Sequence, residues 1–206
     1  MGKLTVTLFV SLDGVTQSPG APSEDPSDGF GHGGWVVPHV DDGMFGFICE
    51  TYGRASAFLL GRRTYEIFAS YWPKVTDASD PVARALNQLP KHVVSTRQPV
   101  LSWAGSQLVQ GELPGAIRQL KASYDGELQV HGSGGLVQTL LQHDLIDELS
   151  LLQFPVVLGS GRRLFGPGTQ PAAMKLMQSR STEKGLVIST YRRDGALRTG
   201  AIEPNP

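Results

Sequence analysis

Leu128-Gln129-Val130-His131-Gly132-Ser133-Gly134-Gly135-Leu136 is a short strand signal that runs without a linker into four small residues and then a helical pattern lasting to His143. Adjacent glycines ahead of a helix let a pyrophosphate approach the backbone amides closely. The same residues also fit a tight strand-to-helix turn that needs positive φ, although four small residues in a row exceed what such a turn requires. Around this stretch the pattern of strand followed by helix repeats. Leu4 to Val10 is rich in β-branched and aromatic residues and reads as a first strand. Asp41 to Tyr52 has helical spacing, and Ala57 to Leu60 is a short buried strand leading through Gly61 into a helix that runs through Thr64 to Ala69. Pro81–Gln88 and Glu112–Tyr124 read as helices; His92–Ser95, Gln107–Val109 and Glu148–Phe154 read as strands, and Gly185–Tyr191 closes the series. Alternation of this kind predicts an α/β fold: a mostly parallel sheet covered by helices on both faces, with an antiparallel edge where the last strands follow one another.

Between the first strand and the first helix lies an unusual segment. Gly14 to Pro38 holds six Gly and four Pro with little periodicity, which suits a lid, a binding loop or a disordered stretch. Trp35, Val36 and Val37 near its end predict that part of it packs down.

Composition narrows the function classes. The chain has 206 residues and a net charge of −1, which excludes a global bias toward nucleic acid or anionic membrane. Its length suits one domain, expected over residues 1–193, with a loose polar tail at 194–206. Cys49 is the only cysteine, so no disulfide framework forms within the chain. No apolar run reaches the ~18 residues of a membrane span. The opening Met-Gly-Lys lacks a signal-peptide pattern, so a cytoplasmic protein is expected. The five histidines are scattered without H-E-x-x-H or cysteine partners, which leaves no zinc site. The fingerprint G-x-G-x-x-G fails because Val137 and Leu164 stand where third glycines belong, and neither a Walker A run nor a G-x-S-x-G elbow is present.

Ligands of open α/β sheets bind beyond the carboxyl ends of strands, beside helix N-termini. Besides Gly132–Leu136, two segments belong there. Gly61 permits a tight turn, Arg62 or Arg63 can fork onto a phosphate, and Thr64 offers a hydroxyl at a helix start. The same residues also fit surface arginines beside a capping threonine. Ser95, Thr96 and Arg97 suit a 2′-phosphate, or a Ser/Thr turn beside a solvated arginine.

These segments in this order resemble the dihydrofolate reductase superfamily. Ser11-Leu12-Asp13-Gly14 and Pro155-Val156-Val157-Leu158-Gly159, followed by Leu164-Phe165, resemble its branch containing the reductase domain of bifunctional riboflavin-biosynthesis proteins. The resemblance runs from Leu4 to about Tyr191. It implies a dihydrofolate reductase-like fold and an NADPH-dependent reductase that transfers a hydride to a C=N or C=O bond of a small heterocyclic or sugar-like substrate. The alternative is a non-catalytic NADPH-binding or scaffold protein. Gly61, Arg62, Arg63, Thr64, Gly132, Ser133, Gly134, Gly135 and Leu136 would hold the pyrophosphate side of NADPH. Ser95, Thr96 and Arg97 would hold its 2′-phosphate, and Val10 would lie near the nicotinamide. Asp13, Gly14, Trp35 and Pro155 would contact substrate beneath the 14–38 lid. Asp13 and Asp41 are the catalytic candidates, with Asp42 and Glu50 behind them, although Asp41 and Asp42 fit better as charges complementing a helix N-terminus and Asp13 also fits an Asx-type turn. Gly34-Trp35-Val36-Val37-Pro38 replaces the Leu-Pro-Trp of dihydrofolate reductases, which points away from folate. A homodimer through a sheet edge or the C-terminal strands is also implied.

Overall fold

The computed structural model describes residues 2–202. Eight strands form one sheet: β1 (Lys3–Ser11), β2 (Ala55–Gly61), β3 (Lys91–Val94), β4 (Ser106–Leu108), β5 (Glu127–Val130), β6 (Glu148–Phe154), β7 (Met174–Ser181) and β8 (Val187–Arg193). Their order is β4-β3-β2-β5-β1-β6-β8-β7. The first six are mutually parallel, whereas β8 pairs antiparallel with both β6 and β7. The helices are α1 (Asp42–Gly53), α2 (Arg62–Tyr71), α3 (Pro81–Gln88), α4 (Leu113–Ala122) and α5 (Gly134–Gln142).

Direction of travel sorts the helices between faces. From β1 the chain moves one way to β2 through α1, and from β5 it moves the other way to β6 through α5. Right-handed crossovers in opposite directions place their helices on opposite faces. Accordingly, Ile117 of α4 and Leu136, Val137 and Leu140 of α5 pack with Leu4, Val6, Leu128 and Val130. On the other face, Tyr52 of α1, Tyr65 of α2 and Val82 and Leu86 of α3 pack with Phe58, Leu60 and Val93. The crevice opens at the carboxyl ends of β1 and β5, between these two layers.

The helices expected from spacing are all present, with ends set by local chemistry. Asp80 caps α3 by accepting from the Val82 and Ala83 amides, and Pro81 occupies the first turn. Asp41 caps α1, and Glu112 caps α4. The strand β7 was not expected. Its sequence, Met174-Lys175-Leu176-Met177-Gln178-Ser179-Arg180-Ser181, is exposed almost throughout, so neither face imposes the period-two alternation that marks a half-buried strand.

The 14–38 segment is ordered by packing rather than by secondary structure. Val15, Phe30, Trp35 and Val36 are buried in one cluster with Met44, Leu152, Phe154 and Ile188. Val37, expected to pack down with them, is exposed instead. In the tail, 194–202 has no helix or strand, but Asp194 and Gly195 still exchange backbone hydrogen bonds with Ala173. Residues 203–206 lie outside the described part.

Candidate active site

Two helix starts meet at the crevice. Gly61, the cap of α2, donates its amide to the Gly132 carbonyl at 3.1 Å. A Cβ on Gly61 would fall 2.3 Å from Ser133 Oγ, and one on Gly132 would fall 2.7 Å from Thr64 Oγ1. Gly132 also has φ +128°, so glycine is required there twice over. The Gly132–Ser133 peptide is cis. Unlike α1, α3 and α4, neither α2 nor α5 receives a side-chain cap at its N-terminus. Their first amides therefore stay available to an anion.

The arginines expected beside these helix starts are engaged elsewhere. Arg62 forks onto Glu66 one turn along its own helix, at 2.7 and 2.8 Å. Arg63 reaches across to Asp25 of the 14–38 segment at 3.1 Å. Asp25 also accepts from Arg162, which in turn bonds Ser27 Oγ at 2.8 Å and Asp28 at 3.0 Å. Burial opposes the Asp25 charge, but the Ser27 hydroxyl and the Arg162 and Arg63 guanidinium groups hold its carboxyl below the usual range. Beside this latch, an open trough of about 550 Å³ runs between Glu24–Ser27 and the outer face of α2. Beyond the end of β3, Arg97 N donates to Ser95 Oγ at 3.0 Å, while Thr96 and Arg97 project into solvent.

The two acids proposed for catalysis hold loops instead. Asp13 accepts from Ser11 Oγ at 2.6 Å and from the Leu158 and Gly159 amides at 3.1 and 2.9 Å, with Arg163 at 3.2 Å. The Ser11 hydroxyl, then the Leu158 amide, with Gly159 and Arg163 behind them, keep its carboxyl far below the usual carboxylate range. That position fastens the β1 end to the 158–163 loop. Asp41 spends one oxygen on the Met44 amide at 2.9 Å and the other on the Lys184 amide at 3.0 Å, tying α1 to the β7–β8 turn. Asp42 is exposed, and Glu50 faces Arg180 at 4.0 Å. Spacing alone could not separate a capping acid from a catalytic one.

Among the residues expected to contact substrate, Trp35 stands edge-on to Phe154 with ring centroids 5.4 Å apart, and its indole donates to the Gln17 carbonyl at 2.8 Å. Gly14 turns with φ +84°, and Pro155 lies exposed just past β6. Val10 is buried near the end of β1.

A further group was missed. On β5 the residues facing α1 are Glu127, Gln129 and, just past the strand, His131, whereas Leu128 and Val130 enter the opposite core. A central parallel strand covered on both faces is normally apolar throughout. The alternation Glu127-Leu128-Gln129-Val130-His131 was therefore visible as an anomaly. His131 stacks on Tyr52, ring centroids 4.5 Å apart and 12° from parallel, and lies beside Phe58. Burial pushes its imidazole down to about 3, so it stays neutral at ordinary pH.

The fold defines a protein of the dihydrofolate reductase-like class, with two uncapped helix starts at its sheet ends. Residues 2–188 match the family model described as the RibD C-terminal domain, and the chain belongs to that family. A protein from Shewanella sp. PV-4, assigned provisionally to riboflavin biosynthesis, superposes with TM-score 0.68 at 26% identity, covering 93% of this chain and 99% of that one. Dihydrofolate reductase from Enterococcus faecalis, complexed with NADP(H), superposes with TM-score 0.60 at 15% identity, over 93% of this chain and 96% of that one. The Thermotoga maritima deaminase/5-amino-6-(5-phosphoribosylamino)uracil reductase gives TM-score 0.59 at 14% identity, over 93% of this chain and 56% of that one.

Proposed function

We propose that the chain is an NADPH-dependent reductase acting on a C=N or C=O bond of a small heterocyclic or sugar-like substrate, with an aminouracil bearing a sugar as the favoured class. The observation that carries this reading is the pair of uncapped helix starts, α2 and α5, packed glycine against glycine at the mouth of the crevice. Backbone amides there suit a pyrophosphate, and the Ser95-Thr96-Arg97 turn two strands away suits the 2′-phosphate that separates NADPH from NADH. When bound, the nicotinamide supplies the hydride. The chain's own work is to hold the reacting carbon against it and to exclude water under the 14–38 lid. With Asp13 and Asp41 engaged in structural bonds, the proton that completes the reduction comes from water.

The reaction is tested by following NADPH absorbance with 5-amino-6-(5-phosphoribosylamino)uracil and with its dephosphorylated form. Oxidation of one NADPH per substrate reduced supports the proposal. Tight NADPH binding without turnover on any C=N or C=O compound assigns the chain to the non-catalytic alternative.

We also propose a homodimer through the C-terminal strands. Met174, Leu176 and Met177 are exposed on β7, the terminal strand of the sheet, and Val187 is exposed on the adjoining β8. An apolar edge strand of this kind invites a second copy. Sedimentation of the purified chain, compared with Leu176→Glu, reads the outcome directly. A wild-type monomer at micromolar concentration contradicts it.

A further inference from the structure

The polar run on β5 is a hydrogen-bond relay with a fixed direction. Arg54 Nε donates to Glu127 Oε1 at 2.8 Å, and Glu127 Oε2 accepts from Gln129 Nε2 at 2.8 Å. The same Gln129 nitrogen donates to the Thr51 carbonyl at 2.6 Å. Both of these partners are pure acceptors, so the amide of Gln129 has only one workable orientation. Its oxygen is left facing His131 Nε2 at 3.3 Å. An amide oxygen only accepts, so His131 carries its proton on Nε2 and presents a lone pair on Nδ1.

That lone pair has no protein partner. His131 Nδ1 makes no hydrogen bond with the described residues, and it is not among their sealed, unpartnered side-chain atoms. The atom is therefore not sealed off, and the ring sits at the strand end that precedes Gly132–Gly135. Thr7, one residue beyond the last pair of Val6 with Val130, lies on the same face of β1 as Thr5, which is paired with Gln129. The Thr7 hydroxyl likewise makes no side-chain hydrogen bond with the described residues, although the residue is only 6% exposed. Burying a glutamine and threonines in the middle of a parallel sheet is costly unless their polar atoms are hydrogen-bonded, and the relay meets that requirement for Gln129 while leaving the His131 Nδ1 lone pair and the Thr7 hydroxyl over. Tyr52 fixes the ring plane by stacking.

We infer that His131 is the residue that reads the substrate: its Nδ1, aimed by the Glu127–Gln129 relay, accepts a hydrogen bond from an N–H of the heterocycle. This role rests on the reductase proposal above and narrows it to substrates that carry a donor beside the reducible bond. A ring presenting a carbonyl or a methyl group there is rejected, because the imidazole is locked in its accepting form.

The test uses the full chain labelled with ¹⁵N-histidine, titrated with 5,6-diaminouracil both with and without NADPH. The unliganded chain should show His131 as the Nε2–H tautomer, still unprotonated at pH 5. Diaminouracil should move its Nδ1 resonance and bind the wild type about tenfold or more tighter than His131→Phe, which keeps the stack on Tyr52. His131→Asn, which places an amide oxygen near the Nδ1 position, should recover much of that difference. An Nδ1–H tautomer, a failure of diaminouracil to bind or to move the resonance, or equal affinity for His131→Phe overturns the assignment. Should His131→Phe not fold, the tautomer and the ligand-induced shift in the wild type decide alone. NADPH binding followed on the same samples separates the two ideas: its absence overturns the reductase proposal, and its presence beside any of those failures overturns only the role of His131.

Discussion

At the scale of single residues, the site is governed by which charges are already satisfied. Asp25 is the clearest case, because it occupies two arginines that a phosphate would otherwise attract. Replacing it with Asn keeps the shape and removes the competing charge. Asp25→Asn is expected to tighten NADPH binding by about threefold or more, within the range for partly exposed ion pairs; an unchanged or weaker affinity by calorimetry counts against the latch. Lys91 makes a separate prediction, on stability. It is fully buried, with Nζ on the Leu86 and Leu89 carbonyls at 2.7 and 2.8 Å and over the Trp103 ring at 4.5 Å. Burial lowers its pKa from 10.5 to about 8. Between those values the unfolded chain binds a proton that the folded chain does not, so this residue makes stability rise with pH across that window. Urea midpoints at pH 8 and pH 10 should differ less in Lys91→Met than in the wild type, and an equal difference removes Lys91 as the cause.

At the scale of elements, the helix starts divide by task. Asp80, Asp41 and Glu112 close theirs with side chains, while Gly61 and Ser133 leave theirs open. Asp80→Ala should therefore cost about 1 kcal/mol in thermal or chemical unfolding and leave ligand binding untouched. Gly61→Ala should cost about 1–3 kcal/mol, because the new methyl meets Ser133, and should also weaken NADPH binding by displacing α5 from α2. Equal behaviour of the two variants contradicts the division. The same contrast explains how much was legible in the sequence. Helices bounded by Asp-Pro or Gly-Arg-Arg-Thr carry their own end signals, and apolar strands such as Ala57–Leu60 declare themselves by composition. Met174–Ser181 carries neither signal, since its pairing is set by β8 and not by burial of one face. The two uncapped helix starts were legible as glycines at strand ends. The partners of Arg63 and Asp13 were not, because they come from segments 38 and 145 residues away in the chain.

At the scale of the whole molecule, the opposite travel of the β1–β2 and β5–β6 crossovers creates one crevice, at which the Gly61 and Gly132–Ser133 helix starts meet. The 14–38 segment is held by apolar residues on one side and by the Asp25 latch to α2 on the other. A reductase built this way should distinguish its cofactor by charge at a single remote phosphate. The most direct measurement is a parallel titration of the purified chain with NADPH and NADH, repeated on Arg97→Ala. Charge-assisted hydrogen bonds of about 1.5–3 kcal/mol each predict at least a tenfold preference for NADPH, most of it lost in the variant. Absence of binding by either nucleotide, or equal affinity for both that Arg97→Ala leaves unchanged, would contradict an NADPH-dependent reductase.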